Sequence, residues 1–168
     1  MRALVVGGGC RGLDLARELV AEGHAVRAVT RRPEARAAIE AAGAECWIGD
    51  PDVIGTLRYA LDNVTVLLWL LGTATGPAEN VAALHGSRLR MMLDKTADTT
   101  VRGVVYEAAG TVAPDVLAAG VEEVRRARRT HELPFALLRA DRAEGAAWVA
   151  AARAAMDVLL TADRAGAG

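Results

Sequence analysis

The chain has 168 residues and a formal net charge of −1, with a pI near 6.3, so its overall charge calls for neither nucleic acid nor an anionic membrane as partner. That length suits one domain with a substantial core, and the longest apolar stretch, 64–71 with Thr65 inside it, is too short to cross a bilayer. Cys10 and Cys46 are too few for a disulfide framework and are not spaced as a metal pair, so no metal site is expected.

The first apolar run, RALVV, leads into Gly7, Gly9 and Gly12 at GxGxxG spacing, and residues 13–22 follow with Leu13, Ala16 and Val20 on one helical face. A strand, a glycine turn and a helix in that order are the context in which this spacing binds a dinucleotide. The first glycine permits the tight turn, the second lets a pyrophosphate approach the backbone, and the third lets helix and strand pack closely. The helix N-terminus then faces the phosphates. Gly23 ends the helix. Strands are predicted at 25–30 and 45–48, with a helix at 34–42 between them and a helix at about 53–61 after them. The run 64–71 is the most apolar strand, as a central parallel strand covered on both faces should be. A loop at 72–77, a helix at about 79–93 and a polar connection at 94–100 come next. The chain closes with a strand at 103–108, a helix at 114–130, a strand at 135–139 and an alanine-rich helix at about 143–160. This alternation predicts an α/β fold, a doubly wound parallel six-stranded sheet of order 3-2-1-4-5-6 between two helical layers. One dinucleotide-binding Rossmann domain over 1–162 and a flexible tail at 163–168 are expected. The chain enters its first strand without a charged leader, which with the reduced cysteines predicts a cytoplasmic protein.

The segment VVGGGCRGLDLARELVAEGHAVRAVTRRP resembles the opening of atypical short-chain dehydrogenase/reductases of the NmrA-like and extended type, and the later GD, VLLWLLG, GVVYEAAG and FALLRAD segments fall where that family has its third to sixth strands. Val6 stands where the family's usual GxxGxxG has its first glycine; Gly7, Gly9 and Gly12 match the GxGxxG form of some atypical members and of many other dehydrogenases. NAD binders of this fold carry an acidic residue at the end of the second strand, which binds the ribose hydroxyls and would repel a 2′-phosphate. Here Thr30, Arg31 and Arg32 occupy that point, a hydroxyl and two guanidinium groups able to hold the phosphate through charge-assisted bonds. NADP is therefore expected over NAD, with two solvated arginines as the plainer reading. The resemblance further implies that Asp50 sits beside the adenine and Leu71-Gly72 beside the ribose nearer the nicotinamide; Asp50 reads equally as an N-cap or turn residue before Pro51. Arg11 is placed either to cover the pyrophosphate or to point to water. Cys10, inside the glycine turn, is either oxidisable or simply small enough to fit.

The family's usual Tyr-xxx-Lys pair is absent: the chain has only Tyr59 and Tyr106, neither has a lysine four residues on, and the only lysine is Lys95. Catalytic residues are thus unassigned. Thr73, Thr75, Glu107, Arg139 and Asp141 follow strand ends where ligands bind, but each has a plainer role: loop residues, a Glu107–Arg139 ion pair, and a helix N-cap at Asp141. His85 and His131 are expected at the surface. One more helix after the sixth strand leaves little to enclose a substrate. Closure by a second copy through Trp148, Val149 and Met156 competes with that face being the inner side of the last helix. Glu122 and Glu123 beside the arginines of 125–129 point to intrahelical ion pairs on a solvated face, not to nucleic acid. Two functions stay open: an NADP-dependent oxidoreductase acting on a small molecule with a non-standard proton donor, and a noncatalytic NADP(H)-binding redox sensor or regulatory protein with a protein partner.

Overall fold

A computed structural model describes residues 1–166, with side chains through residue 162. Six parallel strands, β1 (Arg2–Gly7), β2 (Ala25–Thr30), β3 (Glu45–Ile48), β4 (Val66–Leu70), β5 (Gly103–Glu107) and β6 (Phe135–Leu138), form one sheet in the order β3-β2-β1-β4-β5-β6. Successive side chains of a strand point to opposite faces, and β1 feeds a separate core on each. Ala3 and Val5 pack with Leu15, Ala16, Leu68 and Trp148 on one face, and Leu4 and Val6 pack with Leu57, Trp69, Leu89 and Val124 on the other. All five residues of β4 are buried, the burial that its unbroken apolar run predicts. In register, Leu4 of β1 stands between Arg27 of β2 and Leu67 of β4.

The first face carries α1 (Gly9–Ala21), α2 (Arg36–Ala41) and α6 (Ala146–Gly166); the second carries α3 (Ala78–His85), α4 (Ser87–Thr96) and α5 (Pro114–His131). Trp148, Val149 and Met156 are buried on the sheet, so that face is the inner side of the last helix. The tail expected at 163–168 lies outside the described residues in its side chains and in its last two positions.

Several expected elements differ in kind or in bounds. The helix expected at 53–61 is a pair of 3₁₀ turns, Ile54–Leu57 and Tyr59–Leu61. Thr56 diverts the local backbone there: its Oγ1 donates to the Val53 carbonyl (2.7 Å) and accepts from the Asp50 N–H (2.8 Å), and Gly55 weakens any helix. Arg27 holds this segment to the sheet, with Nη1 donating to the Asp62 carbonyl (3.1 Å) and Nε to Glu45 (3.0 Å). The helix expected at 79–93 is two helices broken at Gly86, whose φ of −121° and ψ of −104° no helix contains. That break turns His85 inward, while the second helix runs through Thr96 and absorbs part of the expected connection. The first helix begins at Gly9, so Gly9 to Gly12 are its first turn.

Candidate functional site

The carboxyl ends of β1, β2 and β4 open into a cleft of about 490 Å³, within the range of small-molecule sites. Gly7, the last residue of β1, has φ +83°, and a Cβ there would run into the Leu70 carbonyl of β4. Gly12 lies in the first turn of α1, where a Cβ would stand 2.9 Å from the Gly7 carbonyl oxygen. Both glycines therefore let the helix start directly on the strand end. Gly8 donates its N–H to Leu70 (2.8 Å), and Gly12 donates to Gly8 (2.9 Å). The N–H groups of Gly9, Cys10 and Arg11 precede any intrahelical acceptor, and Gly8 offers no side-chain cap. A Cβ on Gly9 would meet nothing nearer than Arg142 Nη1 at 4.0 Å, so the space above the second glycine is open.

Gly7, Gly9, Thr30, Arg31, Arg32, Asp50 and Leu71 all line this cleft. Thr30 Oγ1 accepts the Arg32 N–H (3.1 Å), which turns the chain at the end of β2 and presents both arginines. Neither guanidinium has an ion-pair partner among the described residues. Asp50 faces the cleft and makes the expected turn, its Oδ1 accepting the Asp52 N–H (2.9 Å); it caps no helix. Cys10 and Gly12 instead line a neighbouring hollow of about 420 Å³ between α1 and the end of β2, which shares Gly9, Thr30 and Arg32 with the cleft. Cys10 is exposed.

Arg11 and Gly72 line neither space. Arg11 donates from Nε to the Arg142 carbonyl (3.2 Å) and pairs with Asp14 (3.2 Å). Gly72 donates its N–H to Glu107 Oε2 (2.7 Å) and packs against the Ala109 carbonyl.

Glu107 is fully buried at the end of β5. Its partner is Arg142, not Arg139: Nε donates to Oε1 at 2.7 Å and Nη2 to Oε2 at 2.6 Å, while Trp148 Nε1 donates to Oε1 at 3.2 Å. Arg139 follows β6 and is exposed, on the rim of a separate hollow beside α5. Asp141 does cap the next turn, accepting the Ala143 N–H (2.8 Å), and that turn carries Arg142 back over the sheet. Arg142 lines the cleft between Gly9 and Leu70, a placement missed in the sequence because Arg139 and Arg142 both follow the last strand and only the turn separates their directions. Thr73, Thr75 and Asn80 also line the cleft.

His85, expected at the surface, is fully buried. Its Nε2–H donates to the Leu71 carbonyl (3.0 Å), which leaves Nδ1 to accept the Tyr106 hydroxyl (2.7 Å); that hydroxyl also lies 3.2 Å from the Leu117 carbonyl. Burial lowers the His85 pKa and keeps the imidazole neutral, against the raising effects of the Leu71 bond and of Glu107. Burial, with the Glu107 charge, pushes the Tyr106 phenol up, so it stays protonated. His131 pairs with Asp94 (2.8 Å) between α4 and α5. The other tyrosine, Tyr59, is exposed on a 3₁₀ turn.

Two of the α5 arginines form the expected intrahelical pairs, Arg125 with Glu122 (2.5 Å) and Arg126 with Glu123 (3.1 Å); Arg126 also reaches Asp94 (2.8 Å), and Arg128 donates to the Glu132 carbonyl (3.1 Å). Among the described residues no cluster of three or more His, Cys, Asp or Glu could hold a metal, and no helix is long and apolar enough to cross a membrane.

No protein-family model matches this chain, and no curated protein matches its sequence. Solved structures do. The UDP-glucuronic acid 4-epimerase of Bacillus cereus in complex with NAD superposes with a TM-score of 0.67 at 12% identity, over 84% of this chain and 57% of that one. The UDP-glucose 4-epimerase of Thermotoga maritima with UDP-glucose gives 0.65 at 13%, over 83% and 55%. The Citrobacter sp. triphenylmethane reductase complexed with NADP(H) gives 0.58 at 22%, over 83% and 49%. The chain thus spans about half the length of these proteins. At such identities the likeness establishes the fold alone, a doubly wound α/β fold of Rossmann type.

Proposed function

We propose that this chain binds a nicotinamide dinucleotide, NADP(H) in preference to NAD(H), as an oxidoreductase of atypical short-chain type. The observation that carries the reading is the convergence of Gly7, Gly9, Thr30, Arg31, Arg32, Asp50 and Leu71, far apart in sequence, on one cleft at the carboxyl ends of the strands. The first-turn N–H groups of α1 suit a pyrophosphate, and the open space above Gly9 admits it. Arg31 and Arg32, without acidic partners, suit a 2′-phosphate. Two of the similar structures carry NAD or NADP(H) by their own descriptions, which supports the ligand class. Such a cofactor supplies hydride transfer when bound; the protein's part is to hold the phosphates and orient the ring.

A second reading, a noncatalytic NADP(H)-responsive regulator, draws on Tyr106: its hydroxyl is enclosed by His85 and Leu117 and its phenol is stabilised against ionisation, so it is not placed to exchange a proton in the cleft. Calorimetric titration with NADPH and NADH tests the cofactor reading: tighter NADPH binding is expected, and equal or tighter NADH binding would refute the preference. Loss of NADPH absorbance across a panel of aldehydes, ketones and quinones supports the enzyme. Tight binding with no turnover supports the regulator.

A further inference from the structure

Arg142 is held more firmly than a surface arginine can be. Its Nε and Nη2 form a fork with the buried Glu107 carboxylate, Nη2 also donates to the Leu70 carbonyl (2.7 Å), and the guanidinium lies over the Trp148 ring at 5.6 Å. Its backbone is tied down as well, since its carbonyl accepts from Arg11. These anchors account for every N–H of the group except the two on Nη1. That nitrogen has no acceptor among the described residues and is the atom that a Cβ on Gly9 would approach, at 4.0 Å. A pair with its carboxylate sunk at the end of β5 and its guanidinium toward the cleft is an oriented dipole, positive end outward. Because the Glu107 charge offsets that of Arg142, what the cleft receives is a pair of fixed, charge-assisted donors rather than a net cation.

We propose that Arg142 Nη1 is a phosphate ligand that binds the pyrophosphate of the dinucleotide beside the first turn of α1. The inference rests on the dinucleotide reading above and adds a side-chain contact from the turn after β6 to a site otherwise built from backbone N–H groups. One direct charge-assisted bond predicts a loss of affinity of about tenfold or more when it is removed.

Arg142→Ala would strand the buried Glu107, so the test uses the charge-neutral pair Glu107→Gln with Arg142→Gln, checked for folding by circular dichroism. Calorimetry with NADPH, inorganic pyrophosphate and 2′-AMP is then compared with the original chain. The expected result is NADPH and pyrophosphate weakened about tenfold or more with 2′-AMP unchanged, since 2′-AMP has no pyrophosphate. Equal NADPH affinity in both proteins would overturn the proposal and leave the dinucleotide reading standing; weakening of all three ligands alike would reduce Arg142 to a structural role. If the original chain binds pyrophosphate through Arg142 but no dinucleotide, the reading of the cofactor fails and the phosphate contact survives. If it binds neither, both fail. Crystals of the original chain soaked with pyrophosphate need no variant: Nη1 within hydrogen-bond distance of a phosphate oxygen is expected, and an anion bound elsewhere overturns the proposal.

Discussion

Replacing Glu107 by glutamine keeps the shape of the side chain and removes its charge, and the structure states what that costs. Each carboxylate oxygen accepts two donors: Oε1 takes Arg142 Nε and Trp148 Nε1, and Oε2 takes Arg142 Nη2 and the Gly72 N–H. Whichever oxygen becomes the amide NH₂, two donors then face a donor. Arg142, with a side chain only 16% exposed, also loses its counterion. Breaking a buried ion pair on one side costs about 3–5 kcal/mol, and a chain of this size loses about 2–4 °C of Tm per kcal/mol, so Glu107→Gln should lower Tm by about 6–20 °C. Thermal melts and urea titrations followed by circular dichroism give both quantities. A loss below about 1 kcal/mol, small against that 3–5 kcal/mol range, would refute the claim that Glu107 is an ionised, fully engaged anchor. Adding Arg142→Gln to Glu107→Gln should recover part of the loss, because the orphaned guanidinium goes with it. Equal stability of the single and double variants would show that charge was not the cause.

Arg31→Ala and Arg32→Ala should each weaken NADPH about tenfold by removing a charge-assisted bond while leaving NADH unchanged, measured by calorimetry; parallel losses for both cofactors would remove the 2′-phosphate reading. His85 is pushed below its ordinary 6.5 in the folded chain, so on acidification the unfolded chain takes up the proton first. Its contribution is intact above about pH 6.5 and declines below that, by at most about 1.4 kcal/mol per pH unit until the folded group itself titrates. Urea midpoints from pH 7.5 to 5 should show this slope, and His85→Gln should flatten it; an unchanged slope in the variant would assign it elsewhere. Gly120→Ala would place a methyl group on the Tyr106 hydroxyl, and expelling that hydroxyl from its bond with His85 should cost about 1–3 kcal/mol; a neutral effect in a urea titration would mean that the network yields freely.

The local code was most readable where one segment's own pattern decides its state. The apolar run of β4 reports burial on both faces, the glycine spacing reports a strand meeting a helix, and the alternation of elements permits few sheet orders, so topology and the strand ends at the cleft were legible from the chain alone. Where a partner from another element decides, the same code misled. His85 looks like a surface histidine on a helix of mixed character, yet the break at Gly86 and the hydroxyl of Tyr106, 21 residues away, draw it inside. Glu107 could pair with either arginine beyond β6 as far as spacing goes, and the Asp141-capped turn selects Arg142 by aiming it back across the sheet. Sequence alone thus determined the Rossmann topology and which strand ends meet at the cleft, because periodicity and glycine sterics act within a few residues. Only the tertiary structure decided which buried charges and hydroxyls satisfy one another, because a desolvated polar group must take whatever partner the packing brings within about 3 Å.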